Sequence, residues 1–375
     1  MTTPYDLADE FGPSKTLHIW EPSADLRAIV VVDNVATGPS IGGIRLADDV
    51  DLEECARLAR AMTFKNAAAE LPHGGGKSVI FADPHADRER KEELMRAFAS
   101  SIRNVREYIP GPDMGSDEQC MAWIDDEIGR SVGLPREIGG IPLDEIGITG
   151  WGVAHAAEIG AESAGFALDG ATMAVQGFGA VGAHAATFLA ERGAKLVAAA
   201  DSRGTLVNPD GLDVESLVDL KSGGDSVVDY AGGESMDSDA IVGVPCDIWI
   251  PAARPDVIDD DNVDRLQAKL VVQGANIPAT DAAEETMRKR GIVNIPDFIA
   301  NAGGVICAAM EYHGATESQV FDRVEETIRR NTRQVLEAAR DKDERPRTAA
   351  MEMAKKRIHS AMSNRRFSLQ TQSIH

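Results

Sequence analysis

Two lysines twelve residues apart, in Met62-Thr63-Phe64-Lys65-Asn66 and Gly74-Gly75-Gly76-Lys77, are the side chains of this 375-residue chain best suited to chemistry. Lysine is scarce, at 11 against 27 arginines. An ammonium group can hold a carboxylate as a point charge, and one desolvated among glycines can act as a base near neutral pH. Far downstream stands Gly177-Phe178-Gly179-Ala180-Val181-Gly182, a dinucleotide fingerprint. Two amines used beside a nicotinamide ring point to amino-acid chemistry.

The elements that must position these groups are legible in outline. Arg27 to Asp33 carries the β-branched run Ile29-Val30-Val31-Val32 and reads as a strand. Gly38-Pro39 and Gly42-Gly43 read as a turn region ending at Arg45. From Leu52 to Ala69, apolar residues recur at helical spacing behind an acidic first turn, which places Lys65 on a helix ended by Leu71-Pro72. Lys77 to Phe81 reads as a buried strand with Lys77 at its mouth. Asp87 to Val105 reads as a second amphipathic helix, and Tyr108 to Asp113, with two prolines, as irregular chain.

A boundary is expected near residue 150, at Gly139-Gly140-Ile141-Pro142 and Thr149-Gly150-Trp151-Gly152. Beyond it, Thr172 to Gln176 is a strand, the fingerprint its turn, Val181 to Arg192 a helix, and Lys195 to Ala200 a strand ending on Asp201. A lone GxGxxG is weak, but this βαβ setting with an acid at the next strand's end is much stronger. The glycines permit a tight turn and close backbone approach, and the helix N-terminus suits a pyrophosphate. Asp213 to Asp239 reads as a helix followed by loops. Strands follow at Cys246 to Ile250, Leu270 to Gln273 and Ile292 to Ile295, and Ser318 to about Met362 is helical and charged. Such a terminal stretch often folds back onto a first domain.

Composition narrows the partners. Hydrophobic content of 43% suits two cored domains, and no apolar run reaches membrane-spanning length. Met1 to Asp9 lacks the segments of a signal peptide, so cytoplasmic residence is expected. Cys55, Cys120, Cys246 and Cys307 are dispersed without metal-ligand spacing, which implies reduced, buried thiols and no metal. The net charge of −23 repels phosphate and argues against nucleic acid or anionic membrane as partners. Dispersed carboxylates with few lysines resemble a surface adapted to high salt, an ordinary acidic protein being the plain alternative.

With these residues in view, the chain resembles the glutamate/leucine/phenylalanine/valine dehydrogenase family. The likeness runs through Gly42-Gly43-Ile44-Arg45, Met62 to Ile80, Pro112-Asp113, Thr149-Gly150-Trp151-Gly152-Val153, Gln176 to Gly182, Asp201-Ser202-Arg203-Gly204, Gln273-Gly274-Ala275-Asn276 and Asn301-Ala302-Gly303-Gly304-Val305. It implies an α/β chain of two domains. Residues 1–148 would form a mixed α/β substrate and oligomerisation domain, joined by C-terminal helices at about 331–375, and residues 149–330 a Rossmann-type NAD(P) domain. The implied reaction oxidises an L-amino acid to a 2-oxo acid and ammonium, in a homo-oligomer, hexamer or octamer.

By the same resemblance, Lys65 binds the substrate α-carboxylate among Gly42 and Gly43, Lys77 is the catalytic lysine, and Asp113 exchanges protons with the amino nitrogen. Asn301 and Thr149 line the substrate and nicotinamide pocket, and Asn276 contacts the cofactor ribose, with Gly177, Phe178, Gly179, Ala180, Val181 and Gly182 around the pyrophosphate. A helical lysine is usually a solvated charge and a post-proline aspartate usually a turn former, so order and spacing with the glycine motifs carry these assignments. Departures matter. Ile41 stands where glutamate-specific relatives have a lysine for the side-chain carboxylate, and Ala308 where they have a serine. A buried glutamate carboxylate would lack a partner there, at a cost of several kcal/mol, which favours an apolar substrate of the leucine, valine or phenylalanine type. Glutamate is the alternative, and a non-catalytic nucleotide-binding homologue a further one. Asp201 favours NAD by bonding ribose hydroxyls, while Arg203 leaves NADP open. Ala180 and Gln273 replace an asparagine and an acid usual in the glutamate enzymes.

Overall fold

The computed structural model describes residues 4–365, and contacts between Cα atoms divide the chain into two compact units. Within the described residues the first comprises 4–142, 305–320 and 353–365, the second 143–304 and 321–352.

In the first unit a strand β1 (Lys15–Glu21) is followed by β2 (Leu26–Asn34), β3 (Ser40–Leu46), helix α1 (Leu52–Ala68), β4 (Gly74–Ile80), α2 (Arg88–Ser101), β5 (Tyr108–Pro112) and α3 (Glu118–Ile128). The sheet order is β1-β2-β4-β3-β5, with β2 antiparallel to β1 and β4, and β3 parallel to β4 and β5. β2 is apolar almost throughout because both its faces are covered. Ile29 and Val31 pack with Cys55, Ala56 and Ala59 of α1, while Val30 and Val32 pack with Leu94, Met95 and Phe98 of α2 and Met121 and Ile124 of α3. Full burial of each such side chain contributes about 1.5–3 kcal/mol.

Three segments differ from the sequence expectation, because their glycines and prolines sit within strands. The expected turn at Gly38 to Arg45 contains β3, an interior strand, and the triple glycine belongs to β4. Glycine serves close approach here: a Cβ on Gly42 would lie 1.7 Å from the Gly76 carbonyl oxygen, and one on Gly75 would strike Thr63 and Ala59 of α1. Tyr108 to Pro112, expected to be irregular, is β5, whose place at the sheet edge tolerates Pro110 and Pro112.

The second unit holds α4 (Ile148–Ala164), β6 (Thr172–Gln176), α5 (Ala180–Ala190), β7 (Lys195–Asp201), β8 (Gly204–Val207), α6 (Val214–Ser222), β9 (Glu234–Met236), β10 (Ile248–Pro251), β11 (Leu270–Val272), α7 (Asp281–Lys289), β12 (Val293–Ile295) and α8 (Asp297–Ala300). Its sheet runs β12-β11-β10-β6-β7-β8-β9, parallel from β12 to β7 and antiparallel beyond. Thr149 to Gly152, expected at a boundary, lie inside α4, where Gly152 admits Ile328 and Val324.

Three last helices, α9 (Gly303–Tyr312), α10 (Glu317–Lys342) and α11 (Pro346–Asn364), are shared between the units. The expected return of residues 331–375 to the first domain is therefore divided. Residues 321–352 belong with the second unit, through contacts such as Arg329 with Glu158, and α11 beyond Met353 belongs with the first, where Arg357 bonds the Ala67 carbonyl. Residues 366–375 of that expectation lie outside the described residues. Among the described residues no helix is long and apolar enough to cross a membrane.

Candidate active site

Strand alternation builds the chemistry of the first unit. Ile44 and Leu46 of β3 point into the α2–α3 core, so Ile41, Gly43 and Arg45 occupy the opposite face, and on β4 Lys77 shares its face with Val79, which packs against α1. Asp113 follows β5 and crosses over Gly43, where a Cβ would sit 2.7 Å from its own Cβ. Ser116 fixes the turn, accepting from the Asp113 N–H at 2.9 Å and donating to the Ile44 carbonyl.

Lys77 Nζ lies 2.8 Å from Asp113 Oδ2, and Arg45 Nε donates to the same oxygen at 2.8 Å. Arg45 also reaches Glu54 on α1 at 3.2 Å. Burial lowers the Lys77 pKa, outweighing the attraction of Asp113. Burial pulls Asp113 upward, but Lys77 and Arg45 outweigh it and hold the carboxyl below its ordinary value. An amine that gives up its proton more easily thus faces a carboxylate that stays ionised. With Oδ2 taken by two cations, Oδ1 is the oxygen left to exchange a proton.

Arg45 is the residue whose part sequence reasoning missed. Its signal was present: a strand reading of residues 40–46 puts it on the face of Gly43, two residues away. Lys65 extends half-buried from the last turn of α1, the helix laid against β4. Ile41 is buried beside Gly75, and Ala308 lies half-buried on α9, which Glu311 ties to this unit through the Gly133, Leu134 and Ile141 N–H groups.

The second unit gathers its turns at the carboxyl ends of parallel strands. Gly177 has φ +94°, and a Cβ there would strike Ala253 at 2.6 Å. Gly182 packs on the Gly177 carbonyl, whereas Gly179 faces open space. α5 starts behind Gly179 with no side-chain cap, so its first N–H groups are available to an anion. These features fit the pyrophosphate of a dinucleotide. Phe178 is buried, Ala180 is exposed and Val181 is half-buried against Gly274. Gly274 and Ala275 both donate to the Pro251 carbonyl, bringing their turn beside the fingerprint. Asn301 Nδ2 donates to the Gly274 carbonyl and to Asn276 Oδ1 at 3.0 Å, and Thr149 Oγ1 lies beside Gly304.

Asn301, expected to line the substrate pocket, is thus bonded to the turn that carries Asn276. Asp201 has its acceptors occupied: Oδ1 takes the Arg203 N–H and the Ser226 hydroxyl, and Oδ2 takes Lys221 and the Val227 N–H. Against the opposing effect of burial these bonds hold its pKa at about 2. In this arrangement it has no acceptor to spare for a ribose, and Lys221 compensates its charge. Arg203 is paired with Asp229.

The four cysteines are buried and free, with thiols pushed up to about 12, 11, 12 and 12 for Cys55, Cys120, Cys246 and Cys307 by burial. Among the described residues no cluster of His, Cys, Asp or Glu has metal-ligand geometry.

Comparison with known proteins accounts for both halves. Residues 139–366 match the profile of the Glutamate/Leucine/Phenylalanine/Valine dehydrogenase family, and residues 20–130 match its Glu/Leu/Phe/Val dehydrogenase, dimerisation domain. The chain belongs to this family. It is an amino-acid dehydrogenase of two α/β domains, acting on a CH–NH2 group with NAD or NADP. A glutamate dehydrogenase of Aeropyrum pernix is 38% identical over 355 residues, covering 88% of this chain and 85% of that protein. An NADP(+)-dependent glutamate dehydrogenase of Pyrobaculum calidifontis is 38% identical over 361 residues, covering 89% and 85%. The leucine-bound hetero-hexameric glutamate dehydrogenase of Thermus thermophilus superposes with a TM-score of 0.82 at 28% identity, covering 95% of this chain and 91% of that one.

Proposed function

We propose that this dehydrogenase family member catalyses the reversible reaction of L-glutamate, water and NAD(P)+ to 2-oxoglutarate, ammonium, NAD(P)H and a proton. The observation that carries the deamination is the Lys77–Asp113–Arg45 cluster, and the glutamate-dehydrogenase relatives support the substrate. When bound, the cofactor accepts a hydride from the substrate Cα. The turns at Gly177–Gly182 and Gly274–Asn276 would hold it, with Asn276 on the ribose.

In this reading Lys65 holds the α-carboxylate and Asp113 Oδ1 takes a proton from the substrate ammonium, which readies the nitrogen to form an iminium as hydride leaves. Lys77, desolvated and easily deprotonated, then draws a proton from water as it attacks the iminium carbon, and stabilises the resulting oxygen. Asp113 returns its proton to the carbinolamine nitrogen, the C–N bond breaks as the oxygen forms the carbonyl, and the hydroxyl proton passes to the leaving ammonia to give ammonium; the proton that Lys77 lost to solvent on activation is the one released overall. Arg45 helps keep Asp113 ionised in the resting site, ready to take that first proton. Compensation of Asp201 by Lys221 favours acceptance of NADP as well as NAD. An oligomer contacting through the first unit belongs to the same proposal, in keeping with its dimerisation-domain profile and the hexameric Thermus relative.

A second reading, an apolar substrate, is favoured by Ile41 and Ala308, which offer no partner to a side-chain carboxylate. Initial rates with glutamate, leucine, valine and phenylalanine, each with NAD and NADP, separate the two. Glutamate is expected to give the highest kcat/KM; a branched-chain or aromatic substrate ahead of it would overturn the glutamate proposal. Under the glutamate proposal, Ile41→Lys should change kcat/KM for glutamate by less than about tenfold. Under the apolar one it should raise glutamate use and depress leucine use by tenfold or more, roughly the effect of pairing a buried charge.

A further inference from the structure

The turn carrying Asn276 contains a conformation that its own residues do not favour. Ile277 has φ +48°, in the left-handed region that a β-branched residue rarely enters, and its side chain is exposed, so no packing of its own holds it there. Its N–H donates to Asp297 Oδ2 at 2.8 Å, the side-chain bond that holds it, and its carbonyl accepts from the Asp256 N–H at 3.0 Å. On the other flank of the turn, Gln273 Oε1 accepts from the Asp297 N–H, and Gln273 Nε2 donates to Glu284 and Asn294.

These four side chains are buried, and one cation bonds three of them. Arg347, in the first turn of α11, donates Nε to Glu284 Oε1 at 2.8 Å and Nη2 to Gln273 Oε1 at 2.7 Å, and its Nη1 pairs with Asp297 Oδ1 at 2.8 Å. Its planar fork meets three partners at once, a task lysine cannot reproduce. Gln273 fixes the entry to the turn and Asp297 the exit, so the guanidinium clamps both flanks of Gly274 to Asn276. All these residues belong to the second unit.

We propose that Arg347 is a positioning residue for the cofactor: it sets the turn that presents Asn276, and does so from the first turn of α11, far in sequence from the fingerprint. The inference rests on the proposed contact of Asn276 with the cofactor.

The test compares Arg347→Met, Arg347→Lys, Ile277→Gly, Asn276→Ala and the Arg347→Lys/Ile277→Gly pair by steady-state kinetics and NAD(P)H fluorescence titration. Arg347→Met is expected to raise cofactor KM and NAD(P)H Kd by about tenfold, with the amino-acid KM unchanged. Arg347→Lys keeps the charge, which guards the fold should the methionine variant fail to fold, and should weaken the cofactor by about threefold. In the Ile277→Gly background, where the left-handed conformation is free of strain, Arg347→Lys should have no further effect on cofactor affinity. Equal rises in both KM values, unchanged cofactor affinity in Arg347→Lys, or the same loss with and without Ile277→Gly would each overturn the inference. Failure of the Asn276 contact is told apart by Asn276→Ala alone: cofactor affinity unchanged there refutes the contact, whereas a loss there with none in the Arg347 variants refutes only the role of Arg347.

Discussion

The two units solve opposite problems. In the first, function is a matter of charge: buried Lys77 and half-buried Arg45 meet at Asp113 and hold its carboxyl ionised. In the second it is a matter of room, since Gly177 and Gly182 let backbone pack where a Cβ would collide, and Gly179 leaves open space before the uncapped N-terminus of α5. A charged cluster fails when a partner is removed, and a glycine turn fails when an atom is added. The two sites should therefore respond to opposite kinds of substitution.

The largest expected effect breaks the first. Lys77→Ala should lower kcat by about 10³-fold or more, the usual scale for a lost general base, while NAD(P)H binding by fluorescence stays within about twofold. A joint loss of turnover and cofactor affinity would mean that the two sites are not separable in this way.

Within the second unit, the glycines should divide. Gly177→Ala must place a side chain at φ +94° against Ala253 and should cost about 1–3 kcal/mol in denaturant unfolding. A Cβ at Gly179 meets no protein atom within 4 Å, so in Gly179→Ala stability should hold while NAD(P)H binding weakens by about tenfold as the anion's approach is blocked. Equal stability losses for both would remove the distinction between a folding glycine and a binding glycine.

The last contrast concerns pH. Each unit hides a histidine, His73 in the first and His155 in the second, and burial pushes both down to about 4; His313 adds to this at His73, and Arg192 and Arg329 at His155. Between pH 6.5 and 4 the unfolded chain binds protons that the folded chain refuses. Stability is thus fully present above about pH 6.5 and falls on acidification, by on the order of 2 kcal/mol per histidine at pH 5. His73→Gln and His155→Gln should each flatten part of the fall between pH 7 and pH 5 in denaturant melts. An unchanged slope in either variant would rule out that histidine as a source.

The contrast explains what could be read from residues alone. β6, α5 and β7 were legible nearly to the residue, because apolar runs of the right period flank a glycine turn with a known geometric purpose. β3 and β5 were not, since Gly42, Gly43, Pro110 and Pro112 look like turn formers until their neighbours are known: glycine was needed for the approach of Gly76 and Asp113, and proline was tolerated at an edge. Misreading β3 hid its alternation, and with it Arg45. Lys77 and Asp113 were named from motif order, and the structure places them 2.8 Å apart. The occupancy of Asp201 and the reach of Arg347 were out of view, because both depend on partners 20 to 74 residues away in the chain.

The chain passes between its units at residues 142/143, 304/305, 320/321 and 352/353 within the described residues. A protease that nicks any one of these passages leaves three covalent tethers in place, so cleavage alone would not free an active fragment. Neither unit corresponds to one uninterrupted stretch of the gene product. Truncation after residue 304 would leave both units short of helices, and swapping the second unit between relatives would require four junctions.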